Sequence, residues 1–259
     1  MGYSRPGGAV EKSKIEWTDS TWNPTTGCSK VSNGCDHCYA EAMALRLKAL
    51  GTRRYVHGFD LTIHEDLFEL PLRWKKPRNI FVNSMSDLFH EDVPFPILQR
   101  IFETMNRAHW HNFQILTKRS MGLVKYADRL TWTPNIWIGV TVESDRYLHR
   151  LRALQSVPAV VRFVSFEPLL TSIPSNTDLS FIDWAIVGGE SGTGARPMDP
   201  EWVAGVHGIC QRDNVAFFFK QWGGFHKNAG GRLLDGREWD EMPTLKLGRL
   251  RSPAGKSVL

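Results

Sequence analysis

The chain has 259 residues, 42% of them hydrophobic and 23% charged, a globular profile with apolar material for one large core. No stretch reaches the roughly 18 consecutive apolar residues of a membrane span, so no membrane partner is expected, and four cysteines at this length make no disulfide scaffold. The net charge of +5 is mildly basic and fits an anionic partner without specifying one.

Residues 1–13 hold Gly, Pro, Ser and charge but no apolar run, so a disordered leader is expected and not a secretory signal. A first short strand is predicted at Ile15 to Trp17, then a cysteine-bearing loop, then a helix from Tyr39 to Leu50 stopped by Gly51. Residues 51–78 form a long connection with a short strand at Leu61 to His64. Asn79 to Ser84 reads as a buried strand. Pro96 opens a helix in which Ile97, Leu98, Ile101, Phe102 and Met105 recur at helical spacing. Strands follow at 113–117, 136–142, 160–166, 184–187 and 215–219. Between them lie a helix at 120–129, one carrying Tyr147, Leu148, Leu151 and Leu154, and one opened by Asp199 and Pro200. Apolar strands alternating with amphipathic helices signal a parallel sheet covered by helices. The expectation is an α/β fold: a parallel (β/α) partial TIM-type barrel of six to seven strands over residues 14–224, with a cysteine loop at 27–41 and a basic C-terminal extension over 225–259.

In such folds the reactive groups gather at the C-terminal ends of the strands. Those ends here carry Ser86 and Asp87, Lys118, Glu143, Glu167, the run Gly188-Gly189-Glu190, and Lys220. Lys118, Glu143, Glu167 and Lys220 are candidate catalytic groups, each equally readable as half of a structural ion pair.

Three of the four cysteines, Cys28, Cys35 and Cys38, fall within eleven residues. Cys38 stands at the start of a predicted helix, whose dipole favours a thiolate. Clustered thiols without an export signal point to a reducing, cytoplasmic setting. Close-spaced cysteines suit zinc or an iron–sulfur cluster. A structural zinc site is closed by four protein ligands, and no second Cys-x-x-Cys or His-x-x-x-His completes one. That favours a three-cysteine [4Fe-4S] cluster with one open iron over zinc, free thiols or a redox pair. Cys210, among Trp202, Val206 and Ile209, reads as a core residue.

The stretches Ile15-Glu-Trp-Thr-Asp19, Trp22-Asn-Pro24, Gly27-Cys28 to Glu41, Phe81 to Phe89, Phe166-Glu-Pro-Leu169, Val187-Gly-Gly-Glu-Ser-Gly192, Ala195-Arg-Pro197 and Phe219-Lys-Gln-Trp-Gly223 resemble a phage- and bacteria-associated three-cysteine family of uncharacterised function. That family is similar to the radical S-adenosylmethionine (radical SAM) superfamily and, more loosely, to its spore photoproduct lyase branch. The resemblance implies a cluster at the barrel mouth whose open iron binds S-adenosylmethionine and generates a 5′-deoxyadenosyl radical, with a reductase or flavodoxin-like electron donor. It places His37, Ser86, Asp87, Gly188, Gly189 and Glu190 beside that cofactor. The superfamily separates its cysteines by three residues and then two; this chain has six and then two. A nucleic acid or nucleotide is a candidate substrate, gripped by Arg73, Lys75, Lys76 and Arg78 with Trp74 stacking on a base. The rival readings are a non-catalytic protein whose metal staples the loop for nucleic-acid or partner binding, and a zinc hydrolase with Glu143 or Glu167 as base.

Overall fold

The computed structural model describes residue 13, residues 15–226 and residues 230–244. Residues 1–12 of the leader expected over 1–13, and the tail beyond residue 244, lie outside the described residues. The strands are β1 (Ser20–Trp22), β2 (Thr25–Thr26), β3 (Thr62–Ile63), β4 (Asn79–Val82), β5 (Asn112–Thr117), β6 (Ile136–Thr141), β7 (Arg162–Phe166), β8 (Trp184–Gly188) and β9 (Ala216–Gln221). The helices are α1 (Tyr39–Ala49), α2 (Phe95–Arg107), α3 (Ser120–Ala127), α4 (His149–Gln155) and α5 (Pro200–Asp213).

Seven strands form one parallel sheet in the order β1-β4-β5-β6-β7-β8-β9, each pairing with the next in the chain. A singly wound parallel sheet of this kind curls the way a (β/α) barrel does. With β1 and β9 at its two ends, it is a half-barrel. The short β2 and β3 pair antiparallel beside it. Helix α5 starts as its sequence requires: the Asp199 side chain accepts the Glu201 N–H, with Pro200 at the first helical position.

Side-chain alternation along the strands sorts the core into two layers. On the outer face, Ile80, Val82, Ile115, Ile138, Val164 and Val187 pack against apolar residues of the helices, including Ile101, Leu123, Leu154 and Val206. Cys210 joins this layer as a buried core residue. The inner, concave face holds Phe81, Trp137, Phe163, Trp184, Ile186 and Phe218, with Trp17 among them. Trp17 explains where the first strand lies. The apolar Ile15 to Trp17 stretch is not a strand; it plugs the concave floor, with the Trp17 ring 4.7 Å from Phe81 and 5.9 Å from Trp184. The chain turns after it and enters the sheet at Ser20, in register with Ile80.

The free edge of β9 is covered from within the segment expected as an extension from residue 225. Phe219 N–H donates to the Trp239 carbonyl at 2.8 Å, Glu241 N–H to the Phe217 carbonyl at 3.2 Å, and Trp184 Nε1 to the Glu241 carbonyl at 2.9 Å. This satisfies an edge that would otherwise expose unpaired backbone groups. Residues 239–241 therefore run along the edge of β9, with Asp240 bridging antiparallel to Phe218. Among the described residues no helix is long and apolar enough to cross a membrane.

Candidate functional site

Aromatic side chains fill the lower half of the concave face, and its upper half is polar. Along β7 and its extension the inward positions run Phe163, Ser165, Glu167, and β9 brings Lys220 alongside. Lys220 Nζ stands 2.7 Å from Glu167 Oε1, and Ser165 Oγ donates to Glu167 Oε2 at 3.0 Å. Both charged side chains keep some exposure, 20% and 15%, so they meet whatever enters the mouth.

The cysteine loop lies across this mouth and is tied to four strand ends. After β4, Ser86 Oγ donates to the Gly27 carbonyl at 2.6 Å, and Gly27 N–H donates to the Met85 carbonyl at 2.9 Å. Gly27 has φ +85°, and a Cβ there would lie 2.2 Å from the Asp60 carbonyl oxygen, so only glycine serves. After β5, Arg119 Nη2 reaches Ser29 Oγ at 2.7 Å, the Ser29 carbonyl at 3.0 Å and Cys28 Sγ at 3.7 Å, while its other end pairs with Glu91. His90 Nε2 stands 3.0 Å from the same Ser29 hydroxyl. After β6, the fully buried Glu143 accepts from Ser32 Oγ at 2.5 Å and from Arg150 Nη1 at 2.7 Å, with Lys118 Nζ 3.9 Å away. Gly34 lies flat on this carboxylate, where a Cβ would come within 2.5 Å of it.

The fourth tie follows β8. Glu190 accepts from the Arg196 N–H and Nε at 3.0 Å, from Arg196 Nη2 at 2.7 Å and from His37 Nδ1 at 2.8 Å. Burial pushes the Glu190 carboxyl up, but the Arg196 hydrogen bonds and His37 outweigh it and hold it at about 2. The same guanidinium donates to the Asn33 carbonyl at 2.8 Å and faces Asp36 at 3.6 Å. It thereby spans the loop on both sides of Cys35.

All three cysteines of the loop are half-buried free thiols, and Cys38 caps α1. Burial, with the Asp87 charge behind it, pushes the Cys28 thiol up, while Arg119 pulls the other way. Among the described residues no three His, Cys, Asp or Glu side chains are gathered tightly enough to hold a metal ion.

A family model described as a protein of unknown function, DUF5131, matches residues 12–243. The chain belongs to this family. No curated protein matches the sequence. Among solved structures, spore photoproduct lyase complexed with dinucleoside spore photoproduct aligns at 13% identity and a TM-score of 0.47, covering 80% of this chain and 64% of that one. A double mutant of the same lyase with bound AdoMet and dinucleoside spore photoproduct aligns at 14% identity and 0.47, covering 79% and 63%. The chain thus spans less than two thirds of the length of those proteins.

Within this DUF5131 chain the candidate residues separate by what they already hold. Glu167 and Lys220 face the mouth as one pair. Lys118 and Glu143 join a second pair with Arg150, and Glu143 is closed to solvent. Asp87 accepts from Thr117 Oγ1 with both oxygens and from the N–H groups of Lys118 and Phe89, which uses the acceptor capacity of a carboxylate. Gly188 and Gly189 make room for the protein itself, since Cβ atoms there would meet the Glu167 side chain at 2.8 Å and the Trp222 carbonyl at 2.0 Å. Arg119, Arg150, Arg196 and His90 also fasten the site, and none of them is a candidate from sequence. Of these only Arg119 stands just beyond a strand, after the end of β5 at Thr117, and that position is its one sequence signal.

The basic segment requires a correction. Trp74 is only 8% exposed and cannot stack on a base; its carbonyl accepts from Trp110 Nε1 and its ring carries Arg78 at 5.3 Å. Arg78 directly precedes β4 and donates to Ser20 Oγ at 3.0 Å. Arg73 to Arg78 therefore sit at the N-terminal end of the sheet, opposite the mouth.

Proposed function

We propose that this protein is an iron–sulfur enzyme in which Cys28, Cys35 and Cys38 hold a [4Fe-4S] cluster, leaving one iron open to S-adenosylmethionine. The observation that carries this reading is the fastening of the three-cysteine loop across the C-terminal ends of four parallel strands, over a polar concave face. The donor set fits. Three thiols suit an iron–sulfur group, and Arg119 and the start of α1 supply positive potential beside Cys28 and Cys38.

The chemistry such a group supplies with S-adenosylmethionine is reductive cleavage to a carbon radical. The protein's own residues do the rest. Ser86, Arg119, Glu143 and Glu190 position the loop, and Asp87 fixes the turn that carries Ser86. The exposed His37 ring, oriented by Glu190, presents a flat face beside Cys38. Glu167 and Lys220 offer a hydrogen-bonding pair to a substrate inside the mouth. The non-catalytic reading loses ground because the loop is already held by protein hydrogen bonds, so a stapling metal has little left to order.

The test is anaerobic purification and reconstitution with iron and sulfide, followed by S-adenosylmethionine and dithionite. Release of 5′-deoxyadenosine that disappears in Cys28→Ala, Cys35→Ala or Cys38→Ala supports the reading. A colourless protein with one tightly bound zinc overturns it.

A further inference from the structure

A second recess of about 680 Å³ opens beside the cysteine loop, between α3 and the turn that leads into α4. Its size falls within the range of about 300–1,000 Å³ usual for small-molecule sites, yet none of the mouth chemistry above uses it. Val31 of the cysteine loop and Met121 at the start of α3 both line it. Met121 is 80% exposed and Val31 40%, so two open apolar side chains share this recess, where contiguous apolar surface marks an interaction site. Tyr147 lines it too, its hydroxyl accepting the Asn33 N–H at 3.3 Å.

The charge in this groove is mostly positive. Lys118, Arg119, Lys125 and Arg150 line it, with Glu91 as the single lining carboxylate. Glu143 behind the wall offsets a second cation through Arg150. The remaining positive charge is carried mainly by Lys125, which has no carboxylate partner among the described residues and lies over the Tyr126 ring at 4.8 Å. Cations beside exposed apolar and aromatic faces match a ligand that joins phosphates to flat bases. An acidic peptide would use the cations and leave Met121 and Val31 uncovered. Duplex nucleic acid keeps its bases stacked inward, away from those side chains.

We infer that this groove binds single-stranded nucleic acid, with phosphates on Lys118 and Lys125 and a base laid against Met121 and Tyr147. The strand then passes the cysteine loop at Val31, which leads its neighbouring nucleotide to the mouth. The inference deepens the enzymatic reading by naming its substrate class, and it moves the nucleic-acid contact from the Arg73 to Arg78 segment to the opposite end of the sheet.

The test is fluorescence anisotropy of a labelled single-stranded oligonucleotide with the full chain, its iron content assayed beforehand and no S-adenosylmethionine or reductant present. The expected result is salt-sensitive binding, weakened about tenfold by Lys125→Glu and about threefold by Met121→Ala. Lys76→Glu, at the far end, should leave it within about twofold. The inference is overturned if Lys125→Glu binds as the parent does or Lys76→Glu is the variant that loses binding. It is equally overturned if a free mononucleotide, a duplex or polyglutamate displaces the strand as well as unlabelled strand does. Iron-replete protein that ignores the strand refutes the groove alone. Protein that takes up no iron on reconstitution yet binds the strand refutes the cluster alone.

Discussion

Arg196→Met tests whether the cysteine loop is fastened from β8. Arg196 supplies three of the hydrogen bonds that hold Glu190 and bridges from it to Asn33. Against the ordinary 4.5 of a glutamate, the Glu190 carboxyl is held at about 2, burial opposing and Arg196 and His37 prevailing. That fall corresponds to about 3–4 kcal/mol at ~1.4 kcal/mol per pH unit. Arg196→Met keeps the backbone N–H and the His37 bond, and Arg196 is itself 31% exposed, so these together with solvent screening reduce the figure to about 2 kcal/mol. The folded value lies below the unfolded one, so the stabilisation is complete above about pH 4.5 and disappears as pH falls toward 2. Urea unfolding followed by tryptophan fluorescence should therefore show the variant about 2 kcal/mol less stable than the parent at pH 7, with the gap narrowing at pH 3. Equal stability at pH 7, or a gap that does not close in acid, would refute the latch.

Four other perturbations bear on the loop, a helix, the floor and the core. Gly34→Ala drives a methyl group into Glu143, so iron bound per chain after reconstitution should fall several-fold with the circular dichroism spectrum unchanged; Gly205→Ala, whose Cβ would meet nothing within 4 Å inside α5, should instead stabilise by about 0.5–1 kcal/mol. Trp17→Ala removes the plug of the concave floor and should lower unfolding free energy by about 3–5 kcal/mol, read from the urea midpoint. Cys210 is 1% exposed and burial pushes its thiol to about 12, so iodoacetamide on the native protein followed by peptide mass mapping should label Cys28, Cys35 and Cys38 while leaving Cys210 free.

The alternation of apolar strands and amphipathic helices made the sheet legible because each strand from β4 onward is a short continuous apolar run bounded by turn residues. Helix α5 was readable to the residue from Asp199 and Pro200. The first strand was not, since Ile15 to Trp17 and Ser20 to Trp22 are both short and part apolar, and only the concave floor's demand for an aromatic plug decides between them. The three cysteines announced themselves by spacing. Their fastenings did not: Arg119, Arg150 and Arg196 are ordinary surface residues by type, and their partners Ser29, Glu143 and Glu190 lie at least six positions away and up to 90 along the chain. Trp74 misled because a basic run with an aromatic looks the same whether its ring faces water or, as here, the core.

The central claim is that three thiolates hold an iron–sulfur cube with one corner free. Electron paramagnetic resonance of the dithionite-reduced, reconstituted protein, recorded before and after S-adenosylmethionine is added, addresses it most directly. The account predicts a reduced-cluster signal whose g values move when S-adenosylmethionine is present, as an open iron acquires new ligands. A silent spectrum from a protein without iron, or a cluster signal that S-adenosylmethionine leaves unmoved, would contradict it.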